Sequence, residues 1–179
     1  MFSGRLLLLL GRVILLLILG IDPGLAKVGY GLVENSGNKF SLIEYGLLTT
    51  SSEKTDVIRL KLIHEKVNKI IDKYQPDEMA VEKLFFNKNV KTAIRVGQAR
   101  GVLLLCGAEG NMEVKEYTPL EIKQAVVGYG KAKKHQVQQM VKALLNLNKI
   151  PDSADAADAL AVSICHGHCS NSENWRTSL

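Results

Sequence analysis

The chain has 179 residues, of which 46% are hydrophobic and 23% are charged, and its formal net charge is +5. This length fits one domain with a sizeable core, and the apolar share excludes a wholly disordered chain. The basic excess weakly favours a polyanionic partner. Three cysteines without a framework spacing exclude a disulfide-stapled secreted domain and favour a reducing, cytoplasmic setting.

Residues 1–15 combine a leucine run with Arg5 and Arg12, and they resemble the start of a signal peptide. No small-residue cleavage site follows, so the pattern does not predict secretion. The run is too short to cross a bilayer, and inserting Arg12 would cost roughly 2.5–3.5 kcal/mol. We therefore predict an extension outside the fold and no membrane association.

The first predicted strand is an apolar run from Leu16 to Ile21 that ends on Asp22 and is closed by Pro23 and Gly24. An unbroken apolar run predicts a strand buried on both faces, with Asp22 at its end. A carboxylate at the rim of a buried sheet is poorly solvated and requires a cation or a base. Considered alone, an Asp-Pro-Gly segment is better explained as a simple turn, so the role of Asp22 depends on the other motifs.

The next segments extend this strand into a meander and then a crossover. Residues 27–34 and 39–49 predict two strands joined by an Asn-Ser-Gly-Asn turn. The apolar spacing over residues 56–74 predicts an amphipathic helix. A short strand over residues 78–83 then carries Glu82 near its end.

The second half of the chain alternates helices with one more strand. Thr118-Pro119-Leu120-Glu121 is a capping box with proline at the first helical position. The predicted elements are a helix over 87–108, a strand over 112–117, helices over 119–128, 135–147 and 153–166, and a polar tail over 170–179. This order predicts an α/β domain over residues 16–169, with a mixed five-stranded sheet and helices on both faces.

Basic residues are concentrated in two segments that contain no acidic residue. Residues 83–100 carry five lysines and arginines, and residues 122–149 carry six lysines. These eleven charges exceed the net charge of +5, so the rest of the chain is acidic overall. A charge run usually marks a solvated face, but two acid-free segments of this length favour a phosphate-binding surface.

Four acidic residues form a candidate metal site. Asp22 and Glu82 close strands that we expect to lie side by side and parallel, so they would meet at one rim. Asp155 and Asp158 are three residues apart, which places them on one face of the last helix. Helix N-terminal stabilisation would explain Asp155, but Asp158 lies too far into the helix for it. An oxygen-rich set suits a hard cation such as Mg²⁺, and two such ions roughly 3.5–4 Å apart could hydrolyse a phosphodiester.

Two further motifs have open interpretations. Phe85 and Phe86 follow Glu82, and an exposed aromatic beside a catalytic rim can stack on unpaired bases, worth about 1–3 kcal/mol per base. We expect one of the two in the core. Cys-His-Gly-His-Cys over residues 165–169 would suit zinc, but structural zinc sites usually have separated ligand pairs, so a frayed helix end is favoured.

These motifs together resemble one known family. Residues 18–169 are similar, in order and spacing, to the RuvC Holliday-junction resolvases. The matching segments are Gly20-Ile21-Asp22-Pro23-Gly24, Gly29-Tyr30-Gly31, Val81-Glu82 before Phe85, Val96-Gly97-Gln98-Ala99-Arg100-Gly101, Tyr117-Thr118-Pro119, Val126-Val127-Gly128 and Asp155-Ala156-Ala157-Asp158-Ala159-Leu160-Ala161.

The resemblance implies an RNase H-like fold and a homodimer that makes paired, symmetric nicks in four-way junction DNA during recombination and repair. It also implies two Mg²⁺ ions per site, with Mn²⁺ as a possible substitute, a preferred cognate sequence, and a branch-migration complex of RuvA and RuvB as partner. By position, the metal and catalytic carboxylates are Asp22, Glu82, Asp155 and Asp158, the base-stacking aromatic is Phe85, and the basic residues near the cleaved strand are Lys123 and Lys134. From the basic segments we add Lys88, Lys91, Arg95, Lys131 and Lys133 as candidate DNA contacts.

Two other function classes remain open from the residues. Gly-Ile-Asp-x-Gly also opens phosphotransferases of the sugar-kinase and actin type, although 179 residues leave no room for their nucleotide-binding second domain. A junction-binding module without catalysis would keep the lysines but tolerate loss of any carboxylate. For a nuclease, a two-fold symmetric junction needs two cuts and hence two subunits. We expect the apolar turn over residues 102–106 to form part of their interface.

Overall fold

The computed structural model describes residues 15–37, 39–83 and 90–177, with the backbone alone for Val90 and residues 171–177. Its elements, in chain order, are β1 (Leu15–Asp22), β2 (Lys27–Ser36), β3 (Lys39–Thr49), α1 (Asp56–Tyr74), β4 (Glu78–Glu82), α2 (Val90–Glu109), β5 (Glu113–Tyr117), α3 (Pro119–Val127), α4 (Lys134–Leu144) and α5 (Ala154–Thr177). The predicted mixed α/β architecture is confirmed.

The five strands form one sheet in the order β3-β2-β1-β4-β5. The first three strands are an antiparallel meander, whereas β4 runs parallel to β1 and β5 runs parallel to β4. Ile21 pairs with Val81 across β1 and β4. The next residues, Asp22 and Glu82, therefore sit at adjacent carboxyl ends, as the sequence predicted.

The two faces of the sheet bury separate hydrophobic clusters. On one face, β1 contributes Ile18 to a cluster with the helices α3, α4 and α5. On the other face, Leu19 and Ile21 pack with α1 and α2. Because strand side chains alternate, Asp22 shares the first face with Ile18 and points towards α5 rather than towards α1.

Helix α3 begins as its capping box predicted. The Thr118 hydroxyl accepts a hydrogen bond from the Glu121 N–H at 3.2 Å, and the Thr118 N–H donates to the Glu121 carboxylate at 2.7 Å. At the other end Gly128 adopts φ 90°, a left-handed conformation that favours glycine. Local chemistry at both ends thus fixes the helix that borders the site.

Helix α5 is longer than predicted. It continues to Thr177 instead of ending near residue 166, so most of the predicted polar tail over 170–179 is helical. No glycine or proline follows Gly167 to end it. His166, expected at a frayed end, is 1% exposed, with Nδ1 2.7 Å from the Tyr117 hydroxyl and Nε2 hydrogen-bonded to Glu78.

Smaller differences concern boundaries and exposure. β1 begins at Leu15, which pairs with Ser36, so the last residue of the predicted extension belongs to the sheet. Helix α4 ends at Leu144, three residues before its predicted end. The apolar turn over residues 102–106 is divided, because Leu103 is fully buried whereas Leu105 is 51% exposed. In the described part of the chain, no helix has the length and apolar character needed to cross a membrane.

Candidate active site

The core of the candidate site is a pair of carboxyl groups at the ends of β1 and β4. Asp22 and Glu82 are both partly buried, and the charge of Glu82 raises the pKa of Asp22. Such a rise is what two neighbouring carboxyl groups produce when one disfavours ionisation of the other. The parallel pairing of β1 with β4 therefore brings together two acids that repel each other when both are ionised.

Glycines in the sheet allow α5 to bring its acids to this pair. A Cβ atom at Gly29, the residue paired with Asp22, would lie 2.0 Å from the Asp155 carbonyl oxygen. A Cβ atom at Gly20 would lie 2.3 Å from the Ala159 carbonyl oxygen. Only a residue without a side chain permits such close packing of helix backbone on strand backbone. These two glycines set how near Asp155 can come to Asp22.

A buried hydrogen bond fixes the same helix against the sheet. The Ser163 hydroxyl lies 2.9 Å from the Gly31 carbonyl oxygen, to which it donates. No role was predicted from the sequence for Ser163 or for these glycines. The available signal was the glycines themselves, since glycine inside a buried strand marks the close approach of another backbone.

The environment of the acids disfavours negative charge. Burial, followed by the charges of Glu82, Asp158 and Asp155, raises the pKa of Asp22 to about 8. Burial, followed by the charge of Asp158, also raises the pKa of Glu82. A bound divalent cation would reverse this preference, because it stabilises the ionised carboxylates that repel one another in its absence.

The donor set fits a hard divalent cation. All four side chains offer carboxylate oxygens, the ligands that Mg²⁺ and Mn²⁺ prefer. Among the residues described in the structure, no three of these carboxylates have ligand oxygens within 4.8 Å of one another. The four therefore form an open set rather than a closed cage.

Two lysines lie at the mouth of the site. Lys134 Nζ is 2.5 Å from Asp158 Oδ2. Burial lowers the pKa of Lys134, but the hydrogen bond and charge of Asp158 outweigh that effect and raise it. Lys123 stands with Glu82 and Asp158 on the wall of an adjoining open cavity of about 200 Å³. The remaining residues that line this cavity are Pro119, Ile122, Lys134, Val137 and Ala161.

The other candidate DNA contacts are more dispersed. Lys131 and Lys133 are exposed just before α4, so they lie near Lys134 in the chain. Lys91 is exposed on α2, where Arg95 Nε is 2.8 Å from Asp56 Oδ2. The remaining candidates, Phe85 and Lys88, lie outside the described residues, as does Phe86.

Comparisons with known proteins agree on one family. Residues 18–166 match the family model described as crossover junction endodeoxyribonuclease RuvC. The chain is 64% identical over 153 residues to a crossover junction endodeoxyribonuclease RuvC from Halothermothrix orenii, covering 86% of this chain and 93% of that protein.

Two solved structures of Holliday-junction proteins are similar to this chain. The structure of Thermus thermophilus RuvC in complex with Holliday junction substrate has a TM-score of 0.84 at 32% identity, covering 88% of this chain and 96% of that one. The yeast mitochondrial Holliday junction resolvase Ydc2 has a TM-score of 0.65 at 15% identity, covering 89% of this chain and 81% of that one, which shows a shared fold alone.

Proposed function

The chain belongs to the RuvC family of crossover junction endodeoxyribonucleases, and on that premise we propose that Asp22, Glu82, Asp155 and Asp158 are its catalytic metal ligands. The family has an RNase H-like fold and acts as a metal-dependent nuclease in DNA recombination and repair. The observation that supports the residue assignment is geometric: β1 and β4 end side by side on Asp22 and Glu82, and Gly29, the residue paired with Asp22, allows the Asp155 backbone to approach. The pKa of Asp22, raised to about 8 by burial and by the charges of Glu82, Asp158 and Asp155, agrees with it. Buried acids that suppress one another's ionisation need a cation to become ligands.

We propose Mg²⁺ as the ion, two per site, with Mn²⁺ as a substitute. When bound, such ions activate a water molecule and stabilise the leaving oxygen of the phosphodiester. Asp22 and Glu82 would hold the ions from the ends of β1 and β4, while Asp155 and Asp158 would hold them from α5. Lys134 offsets the charge of Asp158, and Lys123 adds positive charge on the side of Glu82.

The substrate that we propose is four-way junction DNA, cut by paired and symmetric hydrolysis. Lys123, Lys131, Lys133 and Lys134 would hold the backbone of the cleaved strand, because lysine binds phosphate as a point charge. Lys91 and Arg95 would contact DNA from the start of α2, and Lys88, from the same basic segment of the sequence, would add a further contact. Phe85, three residues after Glu82, would stack on an unpaired base.

We also propose a homodimer built on the outer face of α2. Ile94 and Leu105 are 58% and 51% exposed on this helix. Between them, a Cβ atom at Gly97 or Gly101 would meet nothing within 4 Å among the residues described. Large apolar side chains around small residues suit close packing of a second copy, and a C2 dimer supplies two sites for a two-fold junction. We call the surface formed by Ile94, Gly97, Gly101 and Leu105 the α2 face.

Three wider assignments depend on family membership and composition rather than on geometry. We propose a branch-migration complex of RuvA and RuvB as the partner and the cytoplasm as the location. We also propose that residues 16–169 form the nuclease domain, with the residues before it not needed for cleavage. A shortened chain that starts at residue 15 and cuts junctions like the full chain would support the last point.

The decisive test compares substrates and ions. The protein is incubated with a synthetic four-way junction or with a plain duplex of the same sequence, in Mg²⁺ or in EDTA. We expect paired nicks in the junction with Mg²⁺, none in EDTA, and little cutting of the duplex. Equal cutting of the duplex would contradict junction specificity, and cutting in EDTA would contradict the role of the carboxylates.

The base-stacking proposal needs its own test, because two aromatic residues are adjacent. We compare Phe85→Ala with Phe86→Ala on a junction whose arms cannot migrate. Weaker cutting by the Phe85 variant alone would support the assignment, whereas loss in the Phe86 variant alone would move the stacking role to its neighbour.

A further inference from the structure

A second group of metal-binding side chains lies between α1 and α2, on the sheet face opposite the carboxylate set. His64 from α1 meets Cys106 and Glu109 from α2, and one ligand atom from each lies within 4.8 Å of the other two. Cys106 and Glu109 are three residues apart, which places them on one face of α2. His64 Nε2 is 2.7 Å from Glu109 Oε2.

The side chains of this group already converge on the Glu109 carboxylate. His64 Nε2 donates to Glu109 Oε2 at 2.7 Å, and the Asn68 amide donates to the same oxygen at 3.3 Å. The Cys106 thiol makes a long contact of 3.9 Å to the His64 carbonyl oxygen. A cation in front of Nε2, Sγ and Oε2 would replace the hydrogen bond between His64 and Glu109 and leave Asn68 to donate to the carboxylate.

The geometry needs only side-chain adjustment to become a metal site. Ligand bond lengths of about 2.0–2.3 Å place neighbouring atoms of a tetrahedral site roughly 3.3–3.6 Å apart. The side chains of His64 and Glu109 are 35% and 46% exposed, so both have space to rotate. Cys106 is fully buried and provides the fixed point. To bind an ion, His64 Nε2 and Glu109 Oε2 would separate from their present 2.7 Å, and both would lie at about 3.3–3.6 Å from Cys106 Sγ.

We propose that His64 Nε2, Cys106 Sγ and one Glu109 carboxylate oxygen bind a Zn²⁺ ion, with water as the fourth ligand and Asn68 supporting the carboxylate. A sulfur, nitrogen and oxygen set selects borderline ions such as Zn²⁺ and disfavours Mg²⁺. On binding, the Cys106 thiol releases its proton to solvent and the imidazole binds through its neutral nitrogen. The ion would tie α1 to α2 without any part in DNA cleavage.

The experiment uses Co²⁺ as a spectroscopic probe for Zn²⁺, with a reductant that contains no thiol. The protein carries Asp22→Asn to weaken cation binding at the carboxylate set. We expect a sulfur-to-cobalt charge-transfer band that saturates at one equivalent and disappears when one equivalent of Zn²⁺ is added. Cys106→Ala should abolish the band, while the matched thiol control Cys169→Ser should retain it.

Two surface variants keep the test decisive if Cys106→Ala does not fold. Glu109→Gln and His64→Gln change partly exposed side chains, and we expect each to weaken Co²⁺ binding by at least about tenfold. Absence of the band in the folded parent protein would overturn the proposal. So would a band that depends on Cys169, or one that persists at full affinity in both surface variants.

Discussion

The two faces of the sheet are covered by helices in different ways. On one face, the backbone of α5 packs directly against the backbone of the strands. Gly20 and Gly29 make this possible, because a methyl group at either position would collide with α5. On the other face, α1 and α2 pack through ordinary large side chains such as Ile63 and Leu103. All four acids of the candidate site lie on the side of the sheet that α5 covers. On the other side, α2 exposes the apolar α2 face to solvent.

The position of the acids depends on the packing of one face more than on that of the other. Asp155 and Asp158 are positioned by the close packing of α5 on the sheet. If α5 moves away from the sheet, both side chains move with it. Large side chains repack around small changes more readily, so the α1 and α2 face tolerates variation and leaves the outer side of α2 for association. We therefore expect substitutions where α5 packs on the sheet to reduce DNA cleavage. Substitutions on the α2 face should instead reduce dimerisation.

The largest effect is expected from Asp22→Asn. The amide keeps the shape of the side chain but cannot supply an anionic ligand, so cleavage of a junction should fall roughly a thousandfold or more while junction binding persists. Single-turnover cleavage and gel-shift assays measure the two separately. Asp152→Asn is the matched control, since Asp152 pairs with Lys149 at the surface near the start of α5. Near-normal cleavage by the Asp22 variant would contradict the metal assignment.

Next in size is the effect of Gly29→Ala, which tests the close packing directly. The new methyl group would lie 2.0 Å from the Asp155 carbonyl oxygen, so α5 must move. A displacement near 1 Å at a catalytic group can cost about a hundredfold in rate. We expect a loss of that order in cleavage by a variant that circular dichroism shows to be folded.

Gly31→Ala is the matched control on the same strand and the same face. Its methyl group would first meet the Leu160 side chain at 2.7 Å, a group that can move more easily than backbone. We expect comparable loss of stability but a much smaller loss of cleavage. Equal cleavage losses in the two variants would mean that general destabilisation, rather than the position of Asp155, explains the effect.

A third test uses pH and the metal-free protein. The pKa of Asp22 rises from 3.8 to about 8 on folding, so the folded state retains a proton that the unfolded state releases. Stability therefore falls as pH increases between these two values. Each unit of pKa difference is worth about 1.4 kcal/mol, so the loss amounts to a few kcal/mol.

Asp22→Asn removes this titration, so the variant should be more stable than the parent at pH 8 and similar to it at pH 4. Thermal unfolding in EDTA across this range measures the difference, and Mg²⁺ should narrow it at pH 8. If both proteins lose stability equally as pH rises, the pKa of Asp22 is not raised by its burial and by the neighbouring acids.

A smaller effect on chemistry, but a clear one on assembly, is expected from Leu105→Glu. Leu105 lies on the α2 face, and burying an unpaired carboxylate against a second copy should weaken dimerisation by about tenfold or more. Light scattering over a concentration series measures the mass. Ile43→Glu is the control, because Ile43 is 44% exposed on the edge strand β3. A variant that remains dimeric at the lowest concentrations would place the interface elsewhere.

The smallest effect is expected from the lysines that precede α4. Lys133→Ala should weaken junction binding modestly, and the salt dependence of the binding constant should fall by about 0.9 in slope for each phosphate that the variant no longer neutralises. Lys73→Ala is the control, since Lys73 lies over the Tyr74 ring at the end of α1. An unchanged slope in the Lys133 variant would remove it from the DNA surface.

Most elements could be predicted from the sequence because their signals are local. The apolar run before Asp22 predicted β1, and the capping box at Thr118 predicted the start of α3. The same local rules failed at the end of α5. Its polar sequence indicated a tail, whereas two contacts beyond the predicted end hold the helix against the sheet: the Asn35 amide donates to the Gly167 carbonyl oxygen, and the His168 ring stacks on Phe40.

The order of the strands and helices, the acids at the ends of β1 and β4, and the family could all be predicted from the amino-acid sequence, because short motifs and hydrophobic spacing encode them. The distances between the acids, and the effect of burial on their pKa values, depend on the folded structure. It also brought His64 to Cys106 and Glu109. The physical reason is that burial and interatomic distance depend on the packing of segments far apart in the chain, and no local pattern encodes the depth at which α5 settles on the sheet.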